Sequence, residues 1–126
     1  MLPSSVAIVL VDHGSKREAA NAMLARVAER VTARVPGSIV EIAHMELCPP
    51  TIEQALERCR ARGATRVVVH PYMLAPGRHA SEDIPRMVRE AADKLGIEAQ
   101  VSAPLGVDDR LAELVLARCA EALDEG

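Results

Sequence analysis

Short apolar runs alternate along this chain with longer stretches whose apolar residues recur every three to four positions. The first run, Val6 to Val11, is apolar throughout. It is short for a helix and suits a strand covered on both faces, as in a parallel sheet. From Lys16 to Val35 the residues Ala20, Met23, Leu24, Val27, Val31 and Val35 share one helical face, and Pro36-Gly37 stops that helix. Ser15 stands where it could cap it. Ser38 to Met45 reads as the second strand, with Ile39, Val40, Ile42 and Ala43 broken by Glu41. Pro49-Pro50 then interrupts the chain. Thr51, with Gln54 three places on, predicts a capping box for a helix from Ile52 to Arg62. Ile52, Ala55, Leu56 and Cys59 form its inner stripe, and Gly63 takes the usual C-terminal position.

Val67 to His70 is a β-branched run that reads as the third strand, ended by Pro71. A loop with Pro76 and Gly77 delivers Arg78 and His79. The next helix is expected from about Ser81, its N-cap, to Leu95, with Glu82 and Asp83 complementing the dipole in the first turn. Ile84, Met87, Val88, Ala91 and Leu95 form its apolar face, and Gly96 ends it. Ile97 to Ser102 alternates as an edge strand does. Pro104, Leu105 and Gly106 lead into a closing helix from Val107 to Leu123, with Asp108 or Asp109 near its start. The β-α-β-α-β-α-β-α order predicts an α/β fold of one domain over residues 1–126. Its four-stranded parallel sheet would have right-handed crossovers and helices on both faces. So small a sheet leaves an edge that a partner could cover.

Composition narrows the possibilities. Apolar residues make up 49% of the 126, but aromatics only 1%, so the core must be aliphatic. The stacking platforms of single-stranded nucleic-acid binders are missing. A net charge of -3 argues against a polyanionic partner, and no nucleic acid is expected. The three cysteines, Cys48, Cys59 and Cys119, form no CxxC pair, which favours a reduced, cytoplasmic setting. No signal peptide is recognisable, and no run approaches the ~20 apolar residues of a membrane span.

Ligands of open α/β sheets bind beyond the carboxyl ends of the strands. The chain brings His13 there after the first strand, in Asp12-His13-Gly14-Ser15, and His79 after the third. Neutral imidazole binds divalent transition metals and can accept a proton. Glu46 follows the second strand. It could complete an open metal site, take protons from a ligand, or be a solvated loop acid. Asp12 could orient the His13 ring or form the turn. His44 and His70 lie closer to the strands and read first as packed histidines satisfied by backbone carbonyls. Lys16, Arg17, Arg78 and Arg86 flank the same edge and could clamp ligand carboxylates. Neither GxxxxGK[ST] nor GxGxxG follows the first strand, so a phosphate loop is excluded. Ser15 and Ser81 lack a GxSxG elbow and are expected as caps. No cysteine has an activating motif, and Cys59 and Cys119 are expected on the inner faces of helices.

Three segments together, LVDHGS, HMELCPPTIEQAL and HPYMLAPGRHASEDIP, resemble the small CbiX-type chelatases, class II tetrapyrrole chelatases that include sirohydrochlorin cobaltochelatases and related ferro- and nickel-chelatases. The resemblance runs from Val6 to about Val107. It implies the chelatase-like, flavodoxin-related three-layer sandwich. It also implies that the short single-domain form pairs as a homodimer, since larger members look like two such units in one chain. The implied activity is insertion of a divalent metal, cobalt first and iron or nickel as alternatives, into sirohydrochlorin on the way to cobalamin or a related tetrapyrrole. The metal is a substrate, and no organic cofactor is implied. His13 and His79 are implied to bind the metal and assist deprotonation of the macrocycle. Glu46 falls where the family places an acid, as ligand or base. His44 stands where an aromatic is common and receives no role; Cys48 is not a signature of the family. Met45, Met73 and Leu74 are expected to line the apolar disc, and Lys16, Arg17 and Arg78 to meet its acids. A metal or tetrapyrrole carrier without turnover is the rival reading. A phosphatase-like or flavodoxin-like domain is a third, opposed by the missing phosphate loop and the scarcity of aromatics.

Overall fold

The computed structural model describes residues 3 and 5–125. Four strands, β1 (Val6–Asp12), β2 (Val40–His44), β3 (Arg66–Pro71) and β4 (Glu98–Val101), alternate with four helices, α1 (Glu18–Arg34), α2 (Ile52–Ala61), α3 (Arg78–Leu95) and α4 (Asp109–Glu125). All strand pairs are parallel and the order is β2-β1-β3-β4. Ile8 lies opposite Val40 on one side and Val68 on the other, and Val68 lies opposite Gln100.

The apolar run of β1 is explained by burial on both faces. Ala7, Val9 and Val11 point to the face covered by α2 and α3, where they meet Ala43, Leu56, Val67, Val69, Ile84 and Val88. Ile8 and Leu10 point the other way, onto Leu24 and Ala28 of α1. Each fully buried Val, Leu or Ile stabilises the fold by about 1.5–3 kcal/mol. The α2 stripe is buried as the sequence predicts, and Thr51 and Gln54 close a reciprocal capping box. The expected three layers are therefore present, with α1 on one face of the sheet and α2 and α3 on the other.

The helix starts differ from the sequence reading. The first helix begins at Glu18, not Lys16. Ser15 does not cap it: its Oγ accepts from the Arg17 amide, and the Asn21 side chain brackets its own N–H and C=O at 2.9 and 2.7 Å. That clamp holds residues 15–17 as a separate turn. The third helix begins at Arg78, three residues before the expected cap, with Gly77 as N-cap. Starting early buries Ala80 in line with Ile84 and Val88. Ser81 is thus inside the helix, its amide donating to Gly77 O and its hydroxyl to Arg78 O. β2 and β4 are shorter at both ends than expected.

The closing helix also departs from expectation. Asp108 precedes it and accepts from the Arg110 amide. No described residue of α4 is buried, and Cys119, expected on an inner face, is exposed. Among the described residues no helix is long and apolar enough to cross a membrane.

Candidate functional site

The strand order sets the site. β1 lies between β2 and β3, the chain crossing over it from β2 through α2 to reach β3, and α1 and α3 leave toward opposite faces of the sheet. The loops after β1, β2 and β3 therefore share one edge, and between β1 and β3 they diverge, which is where such sheets open a crevice. His13 follows β1, Glu46 follows β2, and His79 sits in the first turn of α3 beyond β3.

Backbone bonds tie these loops together. Met45 N donates to Asp12 O at 2.8 Å and Glu46 N to His13 O at 3.1 Å. Tyr72 N donates to Val11 O at 2.6 Å. Gly14 has φ +87°, and a Cβ there would collide with the carbonyl oxygen of Glu46. Only glycine lets the two loops approach this closely. The backbones carrying His13 and Glu46 are thus in direct contact.

Asp12 works beneath them. Its Oδ1 accepts from the Gly14 amide at 3.0 Å and lies 2.6 Å from His44 Nδ1. It forms the turn, one of the two expected roles; its recorded imidazole partner is His44 rather than His13. His44 is packed, as expected, but its partner is this carboxylate and not a backbone carbonyl. His70 Nδ1 lies 2.9 Å from Ser102 Oγ. Burial holds its pKa below the ordinary histidine value, with a backbone hydrogen bond at Ala103 opposing the shift.

His13, Glu46, Lys16, Arg17, Leu74, Arg78 and His79 are all exposed. Among the described residues no three His, Cys, Asp or Glu side chains are close enough to hold an ion together. His13 and Glu46 on two loops and His79 on the first turn of α3 are therefore separate donors, not a closed ligand set. Met45 and Met73 are half-buried, each with one side against the α2–α3 core. Leu74 is 64% exposed, and Leu47, which the sequence reading passed over, is 60% exposed with φ 73°.

Both helices that open onto this edge carry cations at their positive ends. Arg17 is the N-cap of α1 and Arg78 the first residue of α3, neither start has a side-chain cap, and α3 has no acid in its first turn. Cations there oppose the dipole, and the free amides together with these side chains make an anion-attracting rim. Arg78 has only a long 3.8 Å contact with Glu82, whereas Arg86 is engaged by Asp83 and Glu90.

Known proteins share this plan. The CbiX family model matches residues 7–122. The chain is 43% identical to the chloroplastic sirohydrochlorin ferrochelatase of Arabidopsis thaliana over 109 residues, 86% of this chain but 48% of that protein. It is 33% identical to the sirohydrochlorin cobaltochelatase of Methanopyrus kandleri, covering 95% of this chain and 99% of that one. The crystal structure of the sirohydrochlorin chelatase SirB from Bacillus subtilis subspecies spizizenii in complex with cobalt superposes with a TM-score of 0.83 at 34% identity, over 92% of this chain and 50% of that chain. The chain thus spans about half the length of the chloroplast and Bacillus proteins and nearly all of the archaeal one.

Proposed function

The chain belongs to the CbiX family, and from that premise we propose that it inserts a divalent metal into sirohydrochlorin, with cobalt the favoured ion and iron or nickel the alternatives. The observation that carries the reading is the convergence on one edge of the sheet of an imidazole on the loop after β1, a carboxylate on the loop after β2 and a second imidazole on the first turn of α3.

Insertion exchanges two pyrrole N–H protons for one dication, and ring nitrogens replace the water on the metal. His13 and His79 are proposed to hold the incoming ion and to take the departing protons. Glu46, whose backbone touches that of His13, is proposed as a further ligand or base. Exposed donors on separate elements suit this step, because an ion that must be handed on is better held by few, exchangeable ligands than trapped in a closed set. Lys16, Arg17 and Arg78, with the uncapped starts of α1 and α3, would meet the carboxylates on the macrocycle rim. Leu74, with the open sides of Met45 and Met73, would face the apolar disc, since thioethers adapt to irregular apolar ligands.

The chain would supply one chelatase unit and pair with a second copy to make the two-unit protein that its longer relatives carry in a single chain. Three unpaired thiols suit a reducing, cytoplasmic setting.

The test mixes purified protein, sirohydrochlorin and Co(II), and follows the visible spectrum against a protein-free control. Protein far below stoichiometry should speed the spectral change through many turnovers. A change that stops at one equivalent would mean a carrier. Competition among Co(II), Fe(II) and Ni(II) in the same assay decides the metal.

A further inference from the structure

His44 stands at the foot of the two loops that carry His13 and Glu46. It ends β2 directly opposite Asp12, the last residue of β1. Two of its N–H groups act there. The main-chain N–H donates to Pro50 O at 2.8 Å and closes the base of the excursion over 45–49. Glu46 and Leu47 lie exposed on that excursion, and Leu47 holds φ 73°. A left-handed leucine costs free energy and persists only where the surrounding chain over-determines it, so this loop is held in one form. The ring Nδ1 donates to Asp12 Oδ1 at 2.6 Å. That same oxygen accepts from the Gly14 amide at 3.0 Å and so closes the turn that presents His13.

The two members of this pair are unequal. His44 is 2% exposed and Asp12 24%. The buried ring is locked by the packing around it, whereas the carboxylate has water as an alternative. Without the ring, Asp12 can turn outward and release the Gly14 amide, and the direction of the His13 turn is then no longer fixed. The backbone bonds from Met45 N to Asp12 O and from Glu46 N to His13 O keep the loops side by side, but they do not aim the side chains. An N–H bond to an ionised carboxylate is shorter and roughly twice as strong as a neutral one, which suits an anchor. Burial keeps His44 itself away from an ion that arrives from solvent.

We propose that His44 is a positioning residue of metal insertion: its ring, acting through Asp12, aims His13 at the same ion as Glu46, whose loop the main chain of His44 already closes. The inference rests on the insertion reading above and names the residue that sets the distance between two of its donors. Metal bonds tolerate only about 0.2 Å of error in donor placement. Two exposed side chains on independent loops do not hold that tolerance, and a shared anchor beneath them removes their relative motion. A structural role and a positioning role differ in what they move. Partial unfolding removes active molecules, which lowers kcat and leaves both KM values. A displaced donor weakens the hold on the metal alone.

Steady-state insertion at varied Co(II) and varied sirohydrochlorin reads the outcome. His44→Phe fills the volume of the ring but has no N–H for Asp12. Its KM for Co(II) should rise about 10- to 100-fold, the loss that follows removal of a partner behind a metal ligand. Its KM for sirohydrochlorin should stay within about twofold of the parent, since the macrocycle's own contacts are untouched. His44→Asn places an amide N–H where Nδ1 stood and should restore most of the KM for Co(II). An unchanged KM for Co(II) in His44→Phe, an equal rise in both KM values, or no recovery in His44→Asn overturns the proposal. If the parent binds Co(II) without turnover, the insertion reading falls and a calorimetric Kd for Co(II) takes the place of KM. If it does neither, both fall. Where His44→Phe loses the circular dichroism of the fold, Asp12→Ser replaces it. Serine still accepts from the Gly14 amide but does not reach His44. Asp12→Asn, equally uncharged but able to accept from both, is its control. The serine variant should show the higher KM for Co(II), and equal values overturn the positioning role.

Discussion

His44 Nδ1 lies 2.6 Å from Asp12 Oδ1, joining the end of β2 to the end of β1 directly beneath the turn that carries His13. His44 is 2% exposed, so its ring has left water and depends on this partner. Replacing His44 by Leu keeps the volume but leaves the Asp12 carboxylate with only the Gly14 amide. Urea unfolding should show a loss of about 1–3 kcal/mol. A His44→Leu protein as stable as the parent would remove the pair from any account of the fold.

Gly14→Ala should cost more than a left-handed residue alone. The φ of +87° disfavours any side chain by about 1–2 kcal/mol, and the new methyl also meets the Glu46 carbonyl. The loops after β1 and β2 must then separate. Both the thermal midpoint and the insertion rate should drop, and a variant that loses neither would show that their close approach is dispensable.

The two edge histidines should separate stability from activity. His13 and His79 are exposed, so His13→Ala and His79→Ala should unfold within about 0.5 kcal/mol of the parent. The initial rate of insertion at low metal should fall roughly 100-fold or more if each ring holds the ion or accepts a proton. Unchanged rates in either variant would dismiss that residue from the chemistry.

His70 makes stability pH-dependent. Burial lowers its pKa in the folded chain, so the unfolded chain binds the proton more readily. Above the ordinary histidine pKa of about 6.5 both states are neutral and His70 has no effect. As the pH falls through that value only the unfolded state gains the proton, and stability is lost. His70→Asn should therefore lose less of its melting temperature than the parent between about pH 7 and 5. Identical pH profiles would locate the acid sensitivity elsewhere.

Cys59 should be inert in the folded protein. Burial first, and the nearby Glu41 charge second, push its thiol up to about 12, with Arg62 opposing. A disulfide reagent at about pH 8 should therefore modify Cys59 only after urea is added, because the thiolate is the reactive form. Mass mapping of the labelled peptides checks this, and labelling of Cys59 at the rate of Cys48 would contradict it.

Much of the fold was legible along the chain because its signals are local. The unbroken apolar run of β1 announced burial on both faces, and the Thr51–Gln54 spacing announced a capping box that the structure contains. The errors fell where a local signal had a competitor. Ser81 has the chemistry of a cap, but burying Ala80 on the stripe of Ile84 and Val88 moved the helix start back to Arg78. Ser15 likewise was claimed by Asn21 and the Arg17 amide. For the site, the sequence could name His13 and Glu46 as loop residues, but it expected His79 in a loop where the structure has it in the first turn of α3. It could not show that the Glu46 and His13 backbones touch, or that Leu47 projects into solvent.

By itself, then, the sequence determined the number, kind and order of the elements, since periodicity and turn chemistry act over a few residues. Only the tertiary structure decided the strand order β2-β1-β3-β4, the Asp12–His44 pair and the unpacked state of α4. Each of these depends on contacts between residues far apart along the chain. Whether such contacts form is settled by which surfaces can be buried together, and no short window of sequence holds both sides of that choice.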